Sequence, residues 1–259
     1  MKIVVLVKYV PEPTAAWRFA DDHTLDRQGV EGRLSELDEY AVEQALRLAD
    51  AGVATHVGYL TMGPARAAEG LRKALAMGGD DAVHVVDDAL HGSDALSTSL
   101  VLATALRQVG FDLVICGMAS TDAEMSVVPA MVADRLGVPA LTGAETLTVD
   151  GTEVTARRDT DDATEELTAA LPALVSVTDR SGDARLPSFK NIVAAKKKPV
   201  RTLALADLGI AAERVGANAS ATVVRAVRPR PPREAGTVIT DEGDAAARLA
   251  DFLAANKLL

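Results

Sequence analysis

The stretch from Phe111 to Pro139, FDLVICGMASTDAEMSVVPAMVADRLGVP, decides how the chain is read. It opens with an apolar run, Leu113 to Cys116, of the kind that fills a strand buried on both faces of a parallel sheet. Gly117 ends the strand, and a loop of small polar residues follows, with Ser120, Thr121, Asp122 and Ser126. Two helix starts compete. Thr121-Asp122-Ala123-Glu124 has capping-box spacing. A helix begun there would carry Pro129 in its interior at a cost of about 3 kcal/mol, whereas proline at the first helical position costs almost nothing. The helix is therefore expected from Pro129 to Gly137, with the glycine as a left-handed cap. A long loop between a parallel strand and a helix N-terminus gathers backbone N–H groups, and the helix dipole there favours an anion. By itself the stretch is compatible with an ordinary connection and with a nucleotide site, because ligands of open α/β sheets usually lie in such crevices.

Upstream, Lys2 to Val7 is a continuous apolar strand, interrupted by Val10-Pro11-Glu12-Pro13. Thr14 to Arg33 reads as an irregular or hairpin-like excursion, with Trp17 as a packing anchor. A helix over Leu37 to Leu48 follows, then a strand over Ala54 to Met62. Next come a helix that starts at Pro64 and is closed by Gly78-Gly79, a strand over Ala82 to Val86, and a helix capped by Ser93 and running to about Gln108. Alternation of this kind predicts an α/β fold: a doubly wound, mostly parallel sheet with helices on both faces. No GxGxxG follows the first strand and no GxxxxGK[ST] occurs, so neither nucleotide fingerprint applies.

Downstream the pattern changes. Thr146 to Val149, a turn at Asp150-Gly151, and Glu153 to Arg158 predict a hairpin. Glu166 to Ala169 and Leu171 to Val177 add short β-segments that are expected to extend the sheet. Ser181 to Ala195 reads as an extended, proline-bearing loop. Arg228 to Arg233 reads as a polyproline-like strap, and Asp241 to Leu258 as a helix with Ala246, Leu249, Phe252 and Leu253 on one face.

Composition bounds the function. A net charge of −10 argues against nucleic acid or an anionic membrane as the main partner. The lone cysteine, Cys116, lies in a predicted strand and reads as a small core residue rather than a nucleophile. Met1 leads directly into a strand and no apolar run reaches spanning length, so a soluble, cytoplasmic chain without membrane insertion is expected. The histidines, His23, His56, His84 and His91, are scattered and read as surface or loop residues, with no metal-ligand spacing. No GxSxG elbow or Cys/His pairing is present. The pattern points to a chain that holds something rather than transforms it, with no catalytic residues of its own.

Several blocks in order resemble the β subunit of electron-transfer flavoprotein, almost end to end. They are MKIVVLVKYVPEPT, Leu37 to Ala45, Gly63-Pro64 with Lys73 to Gly78, and Gly117 to Asp122 with Ser126 to Val128. To these are added Glu165 to Val177, Pro187 to Lys198, and Pro231-Pro232-Arg233 with Ala235-Gly236. The resemblance implies an adenine-nucleotide α-hydrolase-like fold with a β-hairpin extension and a C-terminal arm. It implies a nucleotide-binding domain over residues 1–200 with a recognition loop near 184–198, and a strap and helix over 201–259 that dock on a partner subunit. It further implies a heterodimer whose α subunit holds most of the FAD, while this chain carries a structural AMP. Electrons would come from flavin dehydrogenases, such as those acting on acyl-CoA in fatty acid oxidation, and pass to a quinone reductase. By analogy the AMP contacts fall on Leu6, Ser35, Glu36, Leu37, Asp38, Met62, Gly117, Ser120, Thr121, Asp122, Ser126, Val127 and Val128. Asp122 and Glu124 would repel a phosphate and are expected to turn toward ribose, base or backbone. Partner recognition falls on Phe189, Lys190, Ile192, Lys196 and Lys197, with Phe189-Lys190 standing where many relatives have Leu-Pro.

Two other readings share the fold: an enzyme that cleaves ATP between the α and β phosphates, and a stand-alone ATP-binding sensor of the universal-stress type. The first usually carries a Ser-Gly-Gly-x-Asp-Ser loop where this chain has Val7 to Pro11. The second carries glycine-spaced phosphate motifs that do not follow Gly117.

Overall fold

The structure is a computed structural model and describes residues 1–27, 29–228, 230–232 and 236–259. Its first half runs β1 (Lys2–Leu6), β2 (Tyr9–Pro11), β3 (Gly32–Leu34), α1 (Glu36–Asp50), β4 (His56–Met62), α2 (Ala67–Met77), β5 (Asp81–Val85), α3 (Ala95–Val109) and β6 (Leu113–Gly117). The second half runs α4 (Val128–Leu136), β7 (Ala140–Ala144), β8 (Thr146–Asp150), β9 (Glu153–Asp159), β10 (Thr164–Ala170), β11 (Ala173–Val177), α5 (Phe189–Ala195), β12 (Val200–Leu203), α6 (Gly216–Ala219) and α7 (Ala245–Ala255).

The central sheet has seven strands in the order β12-β5-β4-β1-β6-β11-β7, and the pairs along it are parallel. The expected α/β architecture is therefore present. Strands buried on both faces need near-continuous apolar runs, and β1, β6 and β11 supply them, with buried Ser176 of β11 accepting from Gly143 N at 3.0 Å. One apolar layer takes Ala41, Val42 and Ala45 of α1 with Leu71 and Leu75 of α2. The opposite layer takes Val101, Leu102 and Leu106 of α3 with Val132 and Ala133 of α4. Because α1 and α2 lie on one face and α3 and α4 on the other, the chain reverses direction across the sheet between β1 and β6. The carboxyl ends of these two strands are where an open α/β sheet forms its ligand crevice.

Local chemistry sets the helix ends. α1 carries Glu36, Asp38 and Glu39 in its first turn and Arg47 in its last, which complements the helix dipole. α4 starts one residue before Pro129, which still lies in the first turn where no N–H is needed, and Gly137 closes it at φ 73°. Two expected starts are corrected. Asp94, not Ser93, caps α3, accepting from Ser97 N at 3.0 Å, while Ser93 Oγ accepts from Gly216 N at 2.9 Å. Pro64 precedes α2 rather than opening it, since the helix begins at Ala67.

The hairpin at Asp150-Gly151 is present, but it does not extend the central sheet. β8, β9 and β10 form a separate antiparallel sheet, in which Val154 and Ala156 turn inward to the α1 layer. Its alternating exposed and half-buried residues show one face against the core and one against water. β7 and β12, which the sequence reading left out, form the two edges of the central sheet. The segment expected as an extended loop contains a helix, α5, capped by Ser188 Oγ accepting from Asn191 N at 3.2 Å. Trp17 is 37 % exposed rather than a core anchor, and His84 is buried rather than on the surface, with Nε2 3.1 Å from Gly63 O. Burial holds the His84 imidazole below its ordinary pKa.

The compact body runs from Met1 to Arg225, past the boundary near residue 200, because β12 completes the sheet edge and Leu203, Leu205, Leu208 and Ile210 enter the core. A second unit, Ala226–Leu259, carries α7. Arg233 and Ala235 of the strap lie outside the described residues.

Candidate functional site

The crevice at the carboxyl ends of β1 and β6 gathers most of the residues expected to contact a nucleotide. Leu6 ends β1 and Gly117 ends β6, while Ser35 to Asp38 enter α1. A Cβ on Gly117 would lie 2.7 Å from Asp38 Oδ1 and 2.8 Å from the Leu37 carbonyl, so α1 can approach the strand this closely only over glycine. Asp38 is buried and accepts from Lys8 N at 2.8 Å, and the Gly117 backbone hydrogen-bonds to the same carboxyl. Burial outweighs those bonds and the nearby Lys8 charge, and the carboxyl is raised to about 7.

Asp122 occupies the loop after Gly117, and its side chain is fully buried. It accepts from Lys8 Nζ at 2.8 Å and pairs with Arg27 Nη2, while Lys8 Nζ also reaches Ser120 Oγ at 3.1 Å. Burial alone would raise the Asp122 carboxyl, but the Lys8 and Arg27 charges prevail and hold it at about 2. Asp122 therefore turns to two cations, not outward, which corrects the expectation that it faces a ligand or the backbone. Lys8 and Arg27 thus face Asp122, with Asp38 beside Lys8, and burial lowers the Lys8 ammonium from its ordinary pKa.

The loop itself is held in an unusual shape. Glu124 and Ser126 adopt φ 49° and 54°, a region that costs a residue with a Cβ about 1–2 kcal/mol. Ser120 O accepts from both Ala123 N and Glu124 N, which closes the turn before them. Ser35 Oγ, Thr121 Oγ1 and Arg27 Nη1 are buried and have no hydrogen-bond partner among the described residues. Each such group costs on the order of 1–3 kcal/mol when left unmet, so a crevice that keeps them is suited to a polar ligand.

The remaining expected residues fall around this centre. Met62 and Val128 pack against the apolar cluster that includes Leu6 and Cys116. Glu36 is exposed and bonds Arg33 Nη1 at 2.8 Å. Ser126 and Val127 are exposed on the loop. Cys116 is buried, and its thiol is pushed well above the ordinary range. Lys8 and Arg27 were not singled out as site residues in the sequence. Lys8 sits in the block that follows the first strand, but nothing local marks Arg27, which meets Asp122 from 95 positions away.

Of the residues expected for partner recognition, Phe189, Lys190 and Ile192 lie on α5, and Lys196 and Lys197 directly follow it. Phe189 is 82 % exposed, so it does not fold back into the core, and Leu186, Ile192 and Val193 are exposed beside it. α5 is seated on α2 by buried Ala195, and Arg72 Nη1 donates to Ala195 O at 2.7 Å and Lys198 O at 2.9 Å. Lys190, Lys196 and Lys197 are exposed. Lys198 differs: its ammonium donates to Leu75 O at 2.9 Å and Gly78 O at 3.2 Å, capping the carbonyl end of α2. Among the described residues, no helix is long and apolar enough to cross a membrane.

Residues 22–208 match the electron transfer flavoprotein domain family. The chain is 44 % identical to electron transfer flavoprotein subunit beta of Mycobacterium leprae, across 99 % of each chain. It is 32 % identical to the subunit beta of Megasphaera elsdenii, across 94 % of this chain and 93 % of that one. It is also 34 % identical to the caffeyl-CoA reductase-Etf complex subunit CarD of Acetobacterium woodii, across 93 % of this chain and 92 % of that one. The chain belongs to the β-subunit family of electron transfer flavoproteins.

Proposed function

We infer that the chain is the β half of a heterodimeric electron carrier, holding one AMP in the crevice beside Gly117 and helping to enclose FAD bound mainly by an α subunit. The observation that carries the reading is the polar crevice at the sheet's reversal point, where buried Ser35 Oγ and Thr121 Oγ1 have no partner among the described residues. A nucleotide monophosphate matches it: ribose and base hydroxyl and nitrogen groups meet side-chain hydroxyls, and the phosphate meets backbone N–H groups ahead of α4. AMP supplies no redox chemistry there; it fills and stiffens the crevice. Redox chemistry belongs to FAD.

This chain's own residues position and recognise. Leu186, Phe189 and Ile192 present an apolar patch rimmed by Lys190, Lys196 and Lys197. Such a patch suits an anchor entering an apolar pocket on an acidic partner surface. We assign it to flavin dehydrogenases that donate electrons, with a quinone reductase as the onward acceptor. Residues 226–259 are the arm that docks on the α subunit.

The test is composition. Co-expressed with its α subunit, the chain should purify as a yellow heterodimer that releases one FAD and one AMP per pair on denaturation. Two flavins and no AMP would replace AMP by a second FAD. A colourless, nucleotide-free monomer active on ATP would return the reading to the sensor or ATP-cleaving alternatives.

A further inference from the structure

Residues 12–27 and 29–31, between β2 and β3, leave the body as a separate excursion. It is closed on itself by Glu12 N to Glu31 O, Ala20 N to Thr24 O, and Asp26 N to Arg18 O, with Trp17 Nε1 donating to Glu12 O at 3.0 Å. Two aromatic side chains stand out from it, Trp17 at 37 % and Phe19 at 53 % exposure. Beyond its root, its polar contacts with the body among the described residues include three. Asp22 pairs with His91 at 2.6 Å, but both side chains are at least half exposed, where a pair contributes little. Val30 O accepts from Arg66 Nη1 at 3.2 Å. The third is the pair between Arg27 and Asp122, and among the described residues it is the attachment that ends on a fully buried carboxylate.

That carboxylate belongs to the loop with Glu124 and Ser126 in the left-handed region, two and four positions further on. A strained loop keeps its shape only while its surroundings over-determine it. Here the restraint comes from Lys8 on one side and from the excursion, through Arg27, on the other.

We propose that Arg27 is a positioning residue that ties the excursion to the β6–α4 loop, so that an adenine nucleotide entering the crevice changes the surroundings of Trp17. The inference rests on the nucleotide reading above, and it names a route from that crevice to an exposed aromatic surface. Trp17 is the sole tryptophan of the chain and reports on it directly.

The experiment uses the heterodimer stripped of AMP. AMP is titrated back with calorimetry and tryptophan emission read in parallel, and the Trp17→Phe heterodimer is subtracted to remove the partner's emission. In the unaltered protein the Trp17 signal should follow AMP uptake. In Arg27→Met, AMP should bind about tenfold more weakly, within the usual range of coupling between sites, and the Trp17 response should be lost. Arg27→Lys should restore part of both. AMP uptake with no Trp17 response in the unaltered protein overturns the inference alone, as does Arg27→Met with unchanged affinity and response. No AMP uptake at all overturns the nucleotide reading and the inference with it.

Discussion

Gly117 and Asp38 approach so closely that a methyl group on the glycine would sit 2.7 Å from the Asp38 carboxylate. Strand β6 and helix α1 therefore meet backbone to side chain. Gly117→Ala should force α1 away from the sheet. Overpacking of this kind costs about 1–3 kcal/mol. Urea unfolding should show that loss, and AMP per heterodimer should fall below one; a retained midpoint and full AMP would contradict the close approach.

Asp38 makes stability depend on pH in an unusual direction. Its folded value of about 7 lies above that of an unfolded aspartate, so the folded state holds a proton that the unfolded state has released. Its contribution is complete below about pH 4 and is lost as pH rises through 7, amounting to at most about 4 kcal/mol. Urea midpoints of the unaltered protein should fall relative to Asp38→Asn across that window. A constant difference between the two would show that the carboxyl is ionised throughout.

Asp122 behaves oppositely. Its carboxyl is held at about 2, so its contribution is present above about pH 4 and lost as pH falls toward 2. Asp122→Asn leaves Lys8 and Arg27 facing each other without the anion. Both cations are about a third exposed, so water screens part of the cost, and about 1–3 kcal/mol is expected at pH 7. The difference from the unaltered protein should shrink in acid, which a denaturation series from pH 7 to pH 3 would record.

Phe189 and Arg72 separate the proposed docking role from folding. Phe189→Ala removes an exposed ring and should change stability by less than about 0.5 kcal/mol. Stopped-flow reduction by an acyl-CoA dehydrogenase should nonetheless slow by about tenfold or more, with flavin content intact. Arg72→Ala removes both bonds to the end of α5 and should loosen that helix, seen as faster amide exchange over residues 189–195. Equal transfer rates for Phe189→Ala and the unaltered protein would remove the docking role.

Much of this protein was legible in its sequence because the signals are local. Apolar runs at Lys2 to Val7 and Leu113 to Cys116 mark doubly buried strands, Gly137 marks a helix end, and Asp150-Gly151 marks a hairpin turn. Each is readable over a few residues, since backbone conformation and side-chain period are set there. The residues that line the crevice could likewise be placed, because strand ends and helix starts fix them. Tertiary structure alone decided the rest. β7 and β12 are short and exist as strands through the neighbours they hydrogen-bond. The hairpin's choice of its own sheet depends on which face Val154 and Ala156 could bury. Asp122 is charged because Lys8 and Arg27 reach it from 114 and 95 positions away, and the Asp38 carboxyl is raised to about 7 because the fold removes its water. Periodicity carries no record of such meetings: an ion pair or a buried carboxyl leaves no repeat in the chain and is fixed only when distant segments close upon one another.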